Sequence, residues 1–221
     1  MDVGNLSPGA IIIMVVGVAM APFVAVMITS FTKIVVVLSL LRNALGLQQV
    51  PPNVVLNGLA LILSIYVMYP VILSTHSLIT TEMEQSPDEK VSLEKMLTLA
   101  EIGKDPLKDF LIKHSSESER AFFFRSAKRL LPEDAAKTVS DTDLLVVVPA
   151  FTVSELTAAF QIGFLIFLPF LVIDLVVSNI LLGLGMMMLA PTMVSLPFKL
   201  LLFVFVSGWT HLVHGLVITY L

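Results

Sequence analysis

Residues Leu144–Leu221 read LLVVVPAFTVSELTAAFQIGFLIFLPFLVIDLVVSNILLGLGMMMLAPTMVSLPFKLLLFVFVSGWTHLVHGLVITYL. Across this stretch only Glu155, Asp174 and Lys199 are charged. Leu175–Phe198 is a run of 24 uncharged residues and Leu200–Leu221 a run of 22. Each exceeds the ~20 apolar residues that a helix needs to cross a bilayer. Pro149, Pro169, Pro191 and Pro197 punctuate the stretch. A proline inside an apolar helix frees backbone groups, which must find protein or water partners. The reading is a hairpin of long broken helices that turns near Ala190–Pro197.

Working outward, the same character returns at the other end. Val3–Thr32 carries no charge, Lys33 interrupts, and Ile34–Leu41 continues the apolar run. This is too long for the core of a secretory leader, and no basic segment precedes it, so it reads as a retained span that could run past the hydrocarbon edge. Gly46 is a plausible helix stop, and Pro51-Pro52 marks a new start. Val54–Thr81 is again uncharged. The short connector between the two runs makes them an antiparallel hairpin. Residues 1–81 are thus an N-terminal hairpin of two expected spans, and 144–221 a C-terminal broken-helix hairpin of two or more.

Between them the composition inverts. Of the chain's 13 Lys and Arg and 17 Asp and Glu, ten and fourteen lie between Glu82 and Asp143. The whole chain is 57% apolar and only 14% charged, where soluble domains carry about 25% charge. Residues 82–143 therefore read as a small soluble helical insertion. Ser86-Pro87-Asp88-Glu89 fits a capped helix start carrying Leu93, Met96, Leu97 and Ala100 on one face, with Gly103 as its stop. Asp105-Pro106 opens a second helix with Leu107, Phe110 and Leu111 on one side. Ser116 with Glu119 forms a capping box for a third, which Leu130-Leu131-Pro132 ends. No strand alternation is present, so the fold class is all-α. The net charge of −4 comes from this solvated segment and gives no sign of nucleic-acid binding. Lys33 and Arg42 flank the first connector, which the positive-inside rule places in the cytoplasm; the 82–143 segment then falls on the outer side.

The residues carry no catalytic constellation. HExxH, GxSxG, the P-loop and GxGxxG are all missing, and there is no cysteine. The chain is expected not to be an enzyme and to need no cofactor. His211 and His214 share a helix face at a metal-ligand spacing, but no carboxylate in that segment completes a site, and two polar residues near a helix end is the plainer reading. The isolated charges say more, because ionisable groups in apolar spans are costly and face protein or water. Thr152–Glu155 could simply be a capping box, but Lys199 has no such role and needs an acid. With a turn near Pro191, Lys199 lies roughly 12 Å from it and Glu155 roughly 54 Å, so the two would meet across subunits staggered along the axis unless the helix breaks sharply at Pro169. The same argument applies with less force to Asp174. Met186-Met187-Met188 points in three directions, and such flexible side chains near a hairpin tip could form a deformable constriction, although ordinary packing is the simpler reading.

Ser30-Phe31-Thr32-Lys33, Leu41-Arg42-Asn43-Ala44-Leu45-Gly46-Leu47-Gln48-Gln49-Val50-Pro51-Pro52-Asn53, Pro149-Ala150-Phe151-Thr152-Val153-Ser154-Glu155-Leu156, Ala159–Phe164, Leu168–Asp174, Gly185–Met188 and Leu196-Pro197-Phe198-Lys199-Leu200 together resemble the SctR/FliP family of type III secretion export-apparatus proteins. The resemblance covers about 20–80 and 144–216, and the Glu82–Leu131 segment carries little of it. The Arg42–Pro52 wording is nearer the injectisome branch, and no cleavable leader of the flagellar kind is read. The resemblance implies five copies of the chain assembled with SctS- and SctT-like partners around an export channel, beside SctU- and SctV-like proteins and at the base of needle or rod subunits. The channel would lie in the bacterial inner membrane and pass unfolded exported proteins, with 82–143 on the periplasmic side and much of the assembly above the bilayer plane. It also implies that Met186, Met187 and Met188 form a channel gasket and that Glu155 and Lys199 make an inter-subunit contact. Asp174, Lys33 and Arg42 remain further buried polar candidates. The competing readings are an ion channel or proton-coupled transporter using Asp174, Glu155 and Lys199, an intramembrane enzyme, and a scaffold that only templates the needle or rod.

Overall fold

The computed structural model describes residues 15–16, 19–20, 22–23, 25–85, 99, 101–186 and 188–221, and these contain helices and no strands. The expected helix opened by Ser86–Glu89, with Leu93, Met96, Leu97 and Ala100, lies outside them, as does Met187.

The first apolar run is not one continuous helix. The described residues between 15 and 27 are helical, but Ile28–Ser30 form a turn before α1 (Phe31–Ala44) begins. Local hydroxyl bonds compete here with the helical ladder. Thr29 Oγ1 accepts from the Phe31 amide at 3.4 Å, Thr32 Oγ1 donates to the Val26 carbonyl at 2.9 Å, and fully buried Ser30 donates across to Ser64 at 3.2 Å. α1 buries Lys33, Ile34, Val37, Leu38, Leu41 and Ala44, the three-and-four spacing of one helix face. It ends as expected at Gly46. The glycine takes φ 77°, its amide bonds the Asn43 carbonyl, and the Leu47 amide bonds Arg42, which is a Schellman cap.

α2 (Asn53–Gln85) starts on the Pro52 carbonyl and runs about 50 Å through Pro70. α3 (Asp105–Lys113), with proline in its first turn, and α4 (Glu117–Leu130) follow where the sequence places them, with α5 (Glu133–Thr138) after Pro132. The capping box at Ser116 does not form. Its hydroxyl pairs with Ser118 at 2.7 Å, and its amide donates to Ser154 of the long helix α6 at 2.9 Å.

α6 (Leu144–Gly183) spans 40 residues, about 60 Å, and continues through both Pro149 and Pro169. Its buried positions are Val146, Val147, Ala150 and Phe151 in the first turns, then Glu155, Ala159, Gly163, Phe170, Val177 and Leu181, so the buried surface narrows to a stripe one residue wide beyond Phe151. The other faces are apolar and exposed, among them Phe160, Phe164, Leu165 and Val172. A stripe so narrow on a helix apolar all round is the pattern of a span, with lipid or other subunits covering the rest. α7 (Pro191–Phe205) and α8 (Gly208–Ile218) follow, bent by 61° at a two-residue break.

The hairpin turn lies at 184–190, earlier than the Ala190–Pro197 expected. Pro191 starts α7 and Pro197 sits inside it. Gly185 makes the turn. It takes φ 69°, its amide reaches Leu182, and the Met186 amide reaches Leu181, again a Schellman cap. Within the chain neither Gly183 nor Gly185 approaches another helix. The close approach is at Gly163, where a Cβ would strike the Leu40 side chain of α1.

Three apolar clusters join the elements. Ile34, Leu38, Leu56, Ala60, Ala159 and Leu216 unite α1, α2, α6 and α8. Met68, Phe110, Leu111, Phe151 and Tyr220 dock the 105–113 helix on α2, α6 and the chain end. Leu41, Leu45, Phe170 and Phe203 tie the end of α1 to α6 and to the last turn of α7. α2 and α6 are long and apolar enough to cross a membrane, and the bent α7–α8 pair would make a third span.

Candidate functional site

The charges of the apolar segments are held at two levels of α6. At the first, Lys33 Nζ of α1 lies 2.9 Å from Glu155 Oε1, with the side chains 6% and 3% exposed. The Tyr220 hydroxyl donates to the other Glu155 oxygen, and Lys33 Nζ sits 4.2 Å from the centre of the Tyr220 ring. Carboxylate, ammonium and aromatic face thus satisfy one another, as a buried ion pair requires. Thr152–Glu155 is therefore no capping box. It lies inside α6, and Thr152 Oγ1 bonds back to the Val148 carbonyl at 2.9 Å.

At the second level, Lys199 Nζ of α7 lies 2.6 Å from Asp174 Oδ2 and 3.2 Å from the Ala44 carbonyl. The Ser195 hydroxyl donates to Asp174 Oδ1 at 2.5 Å. Asp174 lies nine residues before the end of α6 and Lys199 eight after the start of α7, each about 12–14 Å from the turn. They are level because the turn is at 184–190. The stagger expected between them came from placing it at Pro191.

Glu155 precedes Asp174 by 19 residues, about 28 Å of helix. Within one chain Glu155 and Lys199 therefore keep separate partners. Of the two basic residues expected to flank the first connector, only Arg42 does. Lys33 stands at the far end of α1, its charge balanced by Glu155. Half-buried Arg42 donates through Nη1 to Asn53 Oδ1 at 2.5 Å and to the Pro51 carbonyl at 3.4 Å, bracing the connector.

The hairpin tip is open. Met188 is fully exposed, and Leu184, Met186, Leu189 and Met193 are also open. Among the described residues no cluster of three His, Cys, Asp or Glu is placed to hold a metal, and His211 and His214 lie on the surface of α8 without an acid. Tyr220, Ser195 and the Ser30–Ser64 pair went unnoticed in the sequence, because a lone hydroxyl carries no periodic signal.

These two pairs and the open apolar tip sit on helices whose sequence matches the FliP family model over residues 13–216. The chain belongs to the FliP family. Curated FliP-family relatives cover nearly its whole length. It is 49% identical to "Hypersensitivity response secretion protein HrcR" of Ralstonia nicotianae over 98% of this chain and 99% of that one. It is 54% identical to "Yop proteins translocation protein R" of Yersinia pestis, covering 90% of each. It is 47% identical to "Flagellar biosynthetic protein FliP" of Bacillus subtilis, covering 90% of this chain and 85% of that one. Both charged pairs and the tip lie inside the matched FliP-family region.

Proposed function

We propose that this chain is a core subunit of a type III secretion export gate, an integral component of the bacterial inner membrane that passes unfolded proteins. The observation that carries the reading is full-length similarity to proteins named for secretion and translocation, on a chain with two or three span-like helices. The injectisome branch is favoured on the wording of Arg42–Pro52. Several copies, five by the family analogy, assemble with SctS- and SctT-like partners beside SctU- and SctV-like proteins and needle or rod subunits. The 82–143 segment lies on the periplasmic side.

The exposed tip supports the gating role. Met186 and Met188 leave the turn without a core to enter, so in a ring their flexible side chains would meet those of neighbouring copies. Met187 stands between them in sequence and belongs to the same gasket. Such a ring closes by apolar contact and yields to a threaded chain, while energy comes from other components. The transporter reading needs titrating groups free in the membrane, and Glu155, Asp174 and Lys199 are each held in a pair. Replacing Met186–Met188 with alanine in the assembled complex is expected to raise ion leakage across reconstituted vesicles while assembly persists. Unchanged leakage would remove the gasket from the mechanism.

A further inference from the structure

Three cations lie outside the charge-rich 82–143 segment. Lys33 faces Glu155 and Lys199 faces Asp174. Arg42 faces no carboxylate among the described residues. Its hydrogen bonds go to neutral oxygens of Asn53 and Pro51, and its Nε is buried with no partner. Those oxygens are neutral, so the half-exposed guanidinium has no opposite charge beside it among the described residues.

Arg42 is also part of the wall of a cavity of about 570 Å³. Leu200, Phe203 and Val204 of α7 supply much of the remaining wall, together with Trp209 at the start of α8. Leu200 and Val204 also border a second furrow with Leu201 and Phe205, and Val204 and Phe205 are more than 70% exposed. A cation at one wall and an apolar trough leading to an open apolar face is the complement of an anionic amphiphile. Trp209 is the residue type that gathers at the membrane–water boundary.

We propose that this cavity binds an anionic phospholipid, the phosphate on the Arg42 guanidinium and one acyl chain along Leu200, Phe203 and Val204. The planar fork of arginine matches phosphate oxygens, and half-exposed Arg42 leaves part of its guanidinium within reach of the cavity. A free phosphate would leave the apolar wall uncovered. A zwitterionic lipid brings a second cation to a site that lacks only an anion. The proposal goes beyond the export reading but rests on residence in a membrane, which is read separately by fractionation.

The test is native mass spectrometry of the full chain in mild detergent, titrated with phosphatidylglycerol or with phosphatidylcholine of the same acyl chains. Phosphatidylglycerol is expected to bind about tenfold more tightly, the size of one hydrogen bond to a charged group. Arg42→Gln should abolish that preference, and Arg42→Lys should keep part of it. Val204→Trp, which leaves the cation alone, should weaken both lipids, and it decides the matter if Arg42→Gln fails to fold. Inorganic phosphate should not displace the lipid. Equal binding of the two lipids by the unaltered chain, displacement by phosphate, or a preference that survives Arg42→Gln would each overturn the site. So would loss of the lipid when SctS- and SctT-like partners are added, which would give the cavity to a protein acid. A chain that fractionates with membranes yet shows no lipid preference overturns this site and leaves the membrane reading standing.

Discussion

Lys33 and Glu155 are buried together, and each would be an uncompensated charge without the other. Glu155→Ala is expected to cost about 3–5 kcal/mol, the usual penalty for stranding one member of a buried pair. The double change Lys33→Met with Glu155→Leu should cost much less. Thermal unfolding in detergent, followed by helical circular dichroism, checks both. A silent Lys33→Met would mean that Glu155 has another partner in the folded chain. His114 closes α3, outside the spans, with its ring 4.7 Å from Phe110 and 5.1 Å from Tyr220. Burial, then the charges of Lys113 and Lys33, lower its pKa from 6.5 to about 4. The unfolded chain therefore binds a proton at this residue between those values while the folded chain does not. Its contribution is fully present above pH 6.5 and is lost as pH falls towards 4. Unfolding midpoints measured from pH 7 to 4.5 should fall, and His114→Phe should flatten part of that slope.

Element boundaries in this chain are set by backbone chirality as much as by proline. Glycine stands at the left-handed position after α1 and after α6, where it costs little. The break after α7 uses Ser207 at φ 49° instead. A side chain there costs about 1–2 kcal/mol. Ser207→Gly is expected to raise stability by up to about 1 kcal/mol, and Ser207→Val to lower it by more than that. Chemical denaturation of the two variants side by side measures the difference. If Ser207→Gly lowers stability, the serine side chain itself holds the bend. Gly208 follows for a separate reason, since a Cβ there would meet the Phe203 ring at the inside of the bend.

Over the whole molecule, the buried stripe of α6 leaves most of its apolar surface open, and the single chain pairs Lys33 with Glu155 and Lys199 with Asp174 internally. An inter-subunit contact between Glu155 and Lys199 would exchange those partners on assembly. The chain has no cysteine, so thiols can be placed in chosen pairs. Glu155→Cys with Lys199→Cys, treated with a short thiol crosslinker in membranes containing the partner subunits, is expected to give a ladder of multimers. Asp174→Cys with Lys199→Cys should crosslink within one chain when the chain is alone. No ladder from the first pair would mean that the assembly keeps the pairings of the single chain.

Helices, their apolar character and several ends were legible in the residues. Gly46, Asp105-Pro106 and Leu131-Pro132 act locally, through φ, a missing amide or a capping position, and local rules suffice for them. Membership of the family was equally legible, because long motifs such as Leu41–Asn53 survive as sequence. The partners of the charges were not. Lys33 and Glu155 are 122 residues apart, and which acid a lysine meets depends on where a turn falls and how two helices slide. The turn itself was displaced because Gly185, in the left-handed conformation, ended α6 before Pro191 was reached. Proline does not set the ends of α6, which runs through Pro149 and Pro169. Tertiary structure alone made Tyr220 a partner of Glu155 and left Arg42 without an acid among the described residues, because both outcomes follow from the relative placement of α1, α6, α7 and α8 in space.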